Sequence, residues 1–176
     1  MATIRTIQAE LSTPKYANSE FERRWLVDVD GRPPLDGVPF VSIVDRYIEG
    51  TRLRLRRMIA PDGLVALQLT KKYEADDASA RLMVVSYLTE EEYEAFSDLP
   101  GAELTKRRYK MPHAGLIWDI DVFDGPLVGL ELVEIEASDR EELRAIEPPP
   151  WVVREVTHDL QFQCGSLAHA TSIPKV

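Results

Sequence analysis

The chain has 176 residues, 44% of them hydrophobic and 29% charged, with a formal net charge of −9 at neutral pH. That length suits one domain burying close to ~70% of its unfolded surface, and the acidic balance argues against broad contact with nucleic acid or an anionic membrane surface. Cys164 is the single cysteine, which excludes an intramolecular disulfide and a thiolate metal cluster; no apolar run of signal-peptide or transmembrane kind is present, so a cytoplasmic protein is the expectation.

Residues 1–19 read as an extension in which Ile4, Ile7 and Leu11 mark a short helix or strand, ended by Pro14. The next stretch, EFERRWLV at 20–27, reads as a strand with Glu20, Glu22 and Arg24 on one face and Phe21, Trp25 and Val27 on the other. Taken alone, it is an ordinary amphipathic strand with a solvated face. A turn-rich connection at Asp30–Gly37 leads to a strand at Val41–Ile48, and Arg52, Arg54 and Arg56 then alternate in a third strand. After the turn Ala60–Gly63, Val65, Leu67 and Leu69 form an apolar face, so Gln68, Thr70 and Lys72 share the polar one and parity selects Lys72 over Lys71 as the inward lysine. Arg81–Leu88 is a further strand.

Thr89–Glu92 is a capping box that opens a helix, with Tyr93 and Phe96 as its core contacts and Pro100-Gly101 as its end. Lys106, Arg108 and Lys110 alternate in the next strand, which a turn around Pro112–Gly115 connects to a strand carrying Asp119 and Asp121. A turn at Asp124-Gly125-Pro126 leads to Glu134 and Glu136, with Glu131 on the opposite, exposed face. Ser138-Asp139-Arg140-Glu141 opens a second helix as a capping box, Pro148–Pro150 sets a rigid extended segment before Trp151, and the tail at 157–170 turns helical near its end.

Five segments therefore carry like charges at the strand period, and like charges so close repel unless opposite charges sit between them. A closed or strongly curved antiparallel sheet with a charged lumen supplies that arrangement, because every strand sends alternate residues inward. Hairpin follows hairpin, which excludes a doubly wound parallel sheet.

The stretch EFERRWLV resembles the ExExK signature of the CYTH superfamily, the triphosphate tunnel metalloenzymes, with Arg24 where the family has lysine. LRLRR at 53–57, LTKRRY at 104–109, WDIDVFDG at 118–125, LVEIE at 132–136, and PPPW followed by EVT at 148–157 come in the family's order and extend the resemblance over about residues 20–168. It implies an α+β fold, mainly an antiparallel eight-stranded β-barrel or tunnel with flanking helices, comprising residues 20–170 between the extension and a tail at 171–176. It also implies a metal-dependent hydrolase that cleaves a phosphoanhydride of a small triphosphate, foremost inorganic tripolyphosphate. The expected cofactor is Mg²⁺ or Mn²⁺, no nucleic-acid or membrane partner is expected, and a homodimer is left open.

In that reading Arg24, Arg54, Arg56, Lys72, Lys106 and Arg108 bind the phosphates, since arginine grips phosphate through paired donors and lysine acts as a point charge. Glu20, Glu22, Asp121, Glu134 and Glu136 hold the metal, with Asp119 a weaker candidate, because acidic groups meet phosphate only across a hard cation. Glu20, Glu22, Arg24 and Lys106 form the catalytic set. Arg57 and Arg107 face away, Arg52 and Lys110 fall near the tunnel ends, and His113, His158 and His169 take surface or local roles. The chain departs from the family at Met83 and Val85, where glutamates are usual, at Gln161 and Phe162, where an Arg-Tyr pair is usual, and at Asp45, where glutamine is common. These departures motivate a rival, a polyphosphate-binding module without turnover; a nucleoside or thiamine triphosphatase or a class IV-type adenylate cyclase is the other alternative.

Overall fold

The computed structural model describes residues 14–175, so the element expected around Ile4, Ile7 and Leu11 lies outside the described residues. One antiparallel sheet contains β1 (Asn18–Val27), β2 (Phe40–Ile48), β3 (Leu53–Ile59), β4 (Val65–Lys72), β5 (Ala80–Tyr87), β6 (Gly101–His113), β7 (Leu116–Phe123), β8 (Glu131–Ala137) and β9 (Val152–Glu155). Its order is β5-β4-β3-β2-β6-β7-β8-β1-β9, and a further pairing of β1 with β5 closes the first eight strands into a barrel. The expected eight-stranded barrel is thus present, with β9 added outside the ring. Closure divides β1: Asn18–Phe21 pair with Met83–Ala80 of β5, whereas Trp25–Val27 pair with β9.

Alternation sorts the side chains on either side of this wall. Outward-facing Trp25, Tyr109, Trp118, Ile120 and Val133 pack with Leu143 and Trp151, and the Trp25 and Trp118 rings meet edge to face at 5.6 Å. Inward-facing Leu26, Leu104, Phe123 and Leu132 form a second core with Phe162 and Leu167 of the tail. The same strands that carry charge at Arg24, Lys106, Asp121 and Glu134 therefore carry apolar groups one inward step further on. That step fills one end of the barrel and leaves a polar interior beside it.

The β6–β7 hairpin turns on Ala114 and Gly115, both left-handed at φ of 51° and 79°, as a two-residue turn requires. Pro112, expected in this turn, is instead inside β6 opposite Ile117. The strand tolerates it because β2 pairs with β6 only as far as Tyr109, so no neighbour needs a donor from residue 112 on that side.

Helix α1 (Glu90–Ser97) carries the expected capping box between Thr89 and Glu92. Tyr93 and Phe96, expected in the core, are only half-buried, because α1 leans on the outside of β3 and β4. Helix α2 (Arg140–Ala145) is capped by Asp139 rather than Ser138: the Asp139 carboxylate accepts from the Glu141 and Glu142 N–H groups at 2.8 and 2.9 Å. One carboxylate satisfies two orphan donors there, and Ser138 donates to the Glu142 side chain instead. A short helix α3 (Cys164–Leu167) follows a 3₁₀ turn at Leu160–Phe162.

Glu131 corrects a further expectation, since it is buried and not exposed. Arg32, in the loop after β1, folds over it and donates from Nε at 2.5 Å and Nη2 at 2.8 Å. A bidentate partner compensates much of the cost of burying its charge.

Candidate functional site

The barrel encloses a cavity of about 850 Å³. Glu20, Glu22 and Arg24 reach it from β1, Arg54 and Arg56 from β3, Lys72 from β4, Lys106 and Arg108 from β6, and Glu134 and Glu136 from β8. Ten of the eleven site residues expected from the sequence thus line one space, and period-two alternation on a closed sheet is what delivers them. Asp121 is the exception. It is fully buried on the inner face of the wall, covered by the cavity-lining cations Lys106 and Arg108, from which it accepts, Arg108 at 2.6 Å.

The acidic residues divide into two kinds. Glu20, Glu22 and Glu136 place carboxylate oxygens within 4.8 Å of one another. Burial, then the nearby charge of Glu134, raises the Glu22 carboxyl despite Arg24; burial, then Glu22 and Glu20, raises that of Glu136. Close carboxylates whose ionised forms are disfavoured in this way fit a hard divalent cation, which takes oxygen ligands and relieves their repulsion.

Glu134 behaves differently. It sits 2.6 Å from Arg24 and also pairs with Arg108, and although burial pushes its carboxyl up, Arg24 and then Arg108 hold it well below the usual range. Asp121 and Glu134, expected as metal ligands, stand outside the three-carboxylate group: each is held by two cations, Asp121 by Lys106 and Arg108 and Glu134 by Arg24 and Arg108, whereas among the described residues Glu20 and Glu22 each face one and Glu136 none. Asp119 is similarly engaged by Arg108 and by Lys110 at 2.7 Å.

Cations on the wall are held by buried carboxylates on its inner face. Asp45, at the position where glutamine was anticipated, is fully buried and accepts from Arg56 at 2.6 and 2.7 Å. Burial opposes its ionisation, yet the Arg56 guanidinium more than reverses this and lowers the carboxyl from 3.8 to about 2. Arg54 lies farther from it, with Nε 3.6 Å from Asp45 and Nη2 donating to Thr70 at 3.2 Å. Lys72 pairs with Glu20 over the intervening β5, and Arg52 pairs with the exposed Glu74 at the mouth. Arg57 is exposed and Arg107 pairs with Asp124 on the outside; among the described residues no histidine lines the cavity.

Arg24 joins these parts. Its Nη2 donates to Glu22 at 2.7 Å and its Nη1 to the Phe162 carbonyl at 2.9 Å, while Glu134 lies against the same guanidinium. The tail, in which Gln161 and Phe162 stand where the family usually has an Arg-Tyr pair, is held at the tunnel by the buried Phe162 ring and this carbonyl. Gln163 and Cys164 accordingly reach the cavity. A lysine lacks the fork needed to meet all three partners. Arg24→Lys is expected to speed alkylation of the single thiol, Cys164, by a maleimide under native conditions; an unchanged rate would show that Arg24 does not fasten the tail.

One cation of the cavity was missed in the sequence. Arg81 enters from β5 with its Nε buried and without a hydrogen-bond partner. The signal was available, because Arg81 has the same strand parity as Met83 and Val85, which also line the cavity.

A closed antiparallel barrel enclosing a charged tunnel defines the class: this is a tunnel-fold protein. No family model matches the chain. It is 30% identical over 168 residues to an inorganic triphosphatase of Nitrosomonas europaea, an overlap covering 89% of this chain and 99% of that protein. It is also 39% identical over 64 residues to an inorganic triphosphatase of Acetivibrio thermocellus, covering 36% and 40% of the two chains. The crystal structure of an inorganic triphosphatase superposes with a TM-score of 0.57 at 26% identity, over 89% of this chain and all of that one. A candidate adenylate cyclase of Bacillus halodurans shares the fold at a TM-score of 0.52 and 14% identity, over 74% of this chain and 86% of its own. The chain belongs to the CYTH family of triphosphate tunnel enzymes.

Proposed function

We propose that this chain is an inorganic triphosphatase that hydrolyses tripolyphosphate to diphosphate and phosphate with Mg²⁺ or Mn²⁺. The observation that carries the reading is a single cavity in which Glu20, Glu22 and Glu136 face Arg54, Arg56, Lys72 and Arg108, inside a barrel shared with inorganic triphosphatases. A closely spaced polyanion needs both halves: fixed cations for its phosphate oxygens and a carboxylate group that meets it through a divalent ion.

Glu20, Glu22 and Glu136 would hold that ion, which when bound neutralises phosphate charge and acts as a Lewis acid. The chain's own groups supply the rest. Arg54 and Lys72 bind and orient the phosphates, and Arg56, Lys106 and Arg108 are fixed by Asp45 and Asp121, so little side-chain ordering remains when charge builds on the transferring group. Arg24 sets the orientation of Glu22. The apolar plug of Leu26, Phe123 and Phe162 keeps water from that end of the cavity. Water attacks a terminal phosphorus and no covalent intermediate with the protein forms.

A cytoplasmic setting belongs to the same proposal; among the described residues no helix is long and apolar enough to cross a membrane. The test is incubation with tripolyphosphate, ATP and thiamine triphosphate, with Mg²⁺, Mn²⁺ or a chelator, followed by product analysis. Phosphate release from tripolyphosphate that chelator stops and added Mg²⁺ restores is the expected result. Cyclic AMP from ATP, or binding of tripolyphosphate without turnover, would overturn it.

A further inference from the structure

Among the described residues, carboxylates reach the cavity from Glu20, Glu22, Glu74, Glu134 and Glu136. Three of them make the ion-binding group. Glu134 is committed to Arg24 and Arg108, and Glu74 is an exposed partner of Arg52 at the mouth. A second ion of a two-metal pair sits roughly 3.5–4 Å from the first and needs oxygen ligands of its own. The cavity-facing side chains of β5 are Arg81, Met83, Val85 and Tyr87, and none of them brings a carboxylate.

Arg81 is the reverse of a ligand. Its register partner on β1 is Glu20, but Lys72 takes the Glu20 carboxylate, and among the described residues no carboxylate lies within ion-pair distance of Arg81. Its Nε is buried without a hydrogen-bond partner. A fixed positive charge beside the acidic group repels a second cation and attracts phosphate oxygens.

We infer that the tunnel takes up one divalent cation per chain, and that Arg81 supplies the phosphate chain with counter-charge that a second ion would otherwise bring. The inference rests on the triphosphatase reading and extends it to metal stoichiometry and to a substrate-binding residue on β5. Arg81 is held out of the metal's coordination by its charge, so its removal touches substrate and leaves the ion in place.

Manganese titration followed by electron paramagnetic resonance tests this, on the wild-type chain alone and saturated with the hydrolysis-resistant imido analogue of tripolyphosphate. One bound Mn²⁺ per chain in both states is expected, and two in the saturated complex would overturn the inference. Arg81→Gln is expected to raise the KM for tripolyphosphate on the order of 10–100-fold, the loss of one charge-assisted contact, with Mn²⁺ affinity undiminished, since a neighbouring positive charge is removed, and partial rescue in Arg81→Lys. An unchanged KM, or a parallel loss of Mn²⁺ affinity, would also overturn it. Wild-type protein that binds no Mn²⁺ and releases no phosphate would refute the triphosphatase reading itself, whereas turnover with two bound ions would refute the stoichiometry alone.

Discussion

Glu22→Ala is expected to lower tripolyphosphate hydrolysis on the order of 10³-fold or more, because a bound cation's Lewis acidity is worth several kcal/mol and each 1.36 kcal/mol is tenfold in rate. Glu22 is the member of the carboxylate group that Arg24 orients directly, so neither Glu20 nor Glu136 substitutes for it. The barrel should not suffer. A carboxyl whose folded pKa is raised costs stability at any pH where it stays ionised, and Glu22 is raised by burial first and by Glu134 next. Its loss relieves that cost, while Arg24 keeps Glu134 and the Phe162 carbonyl. Phosphate release combined with thermal melting in chelator checks both halves. More than a tenth of wild-type activity, or a melting point several degrees lower, would contradict the assignment.

Asp45→Asn should give the opposite pattern, a large loss of stability. It leaves the buried guanidinium of Arg56, and that of Arg54 beside it, without a counter-charge, which costs about 3–5 kcal/mol when one partner of a buried pair is removed. The pH dependence has a definite sign. The folded carboxyl titrates at about 2 instead of 3.8, so its contribution is present above the unfolded value and is lost as pH falls through the folded one. A shift of that size is worth about 2 kcal/mol. Chemical denaturation of both proteins should therefore show a gap that is full at neutral pH and narrows between about pH 4 and 2. A gap that is absent at pH 7, or that widens in acid, would show that Asp45 is not the counter-ion of Arg56.

Alternating charge made most of this barrel legible before any coordinates. The period of two places a side chain inside or outside a closed sheet, which is why Glu22, Arg54, Lys106 and Glu134 all arrive in one cavity. The same signal says nothing about depth or about partners from elsewhere. Asp121 shares the inward parity of Arg108, but Lys106 and Arg108 cover it and absorb its charge before it reaches the cavity. Glu131 has outward parity, yet a loop arginine 99 residues away buries it. Arg81 escaped because the unusual Met83 and Val85 drew attention to what their strand lacks, when the informative residue was the cation beside them. Local chemistry failed by single steps: Asp139 caps more donors than Ser138, and Pro112 fits a strand edge that ends at Tyr109.

In the proposed function, three carboxylates inside the barrel hold the cation that bridges to phosphate. Anomalous diffraction from crystals grown with Mn²⁺ and the imido analogue of tripolyphosphate tests it most directly. The account predicts a manganese peak among the carboxylates of Glu20, Glu22 and Glu136, with the phosphate chain extending toward Arg54 and Arg81. Manganese coordinated by Asp121, or bound only outside the barrel, would contradict it.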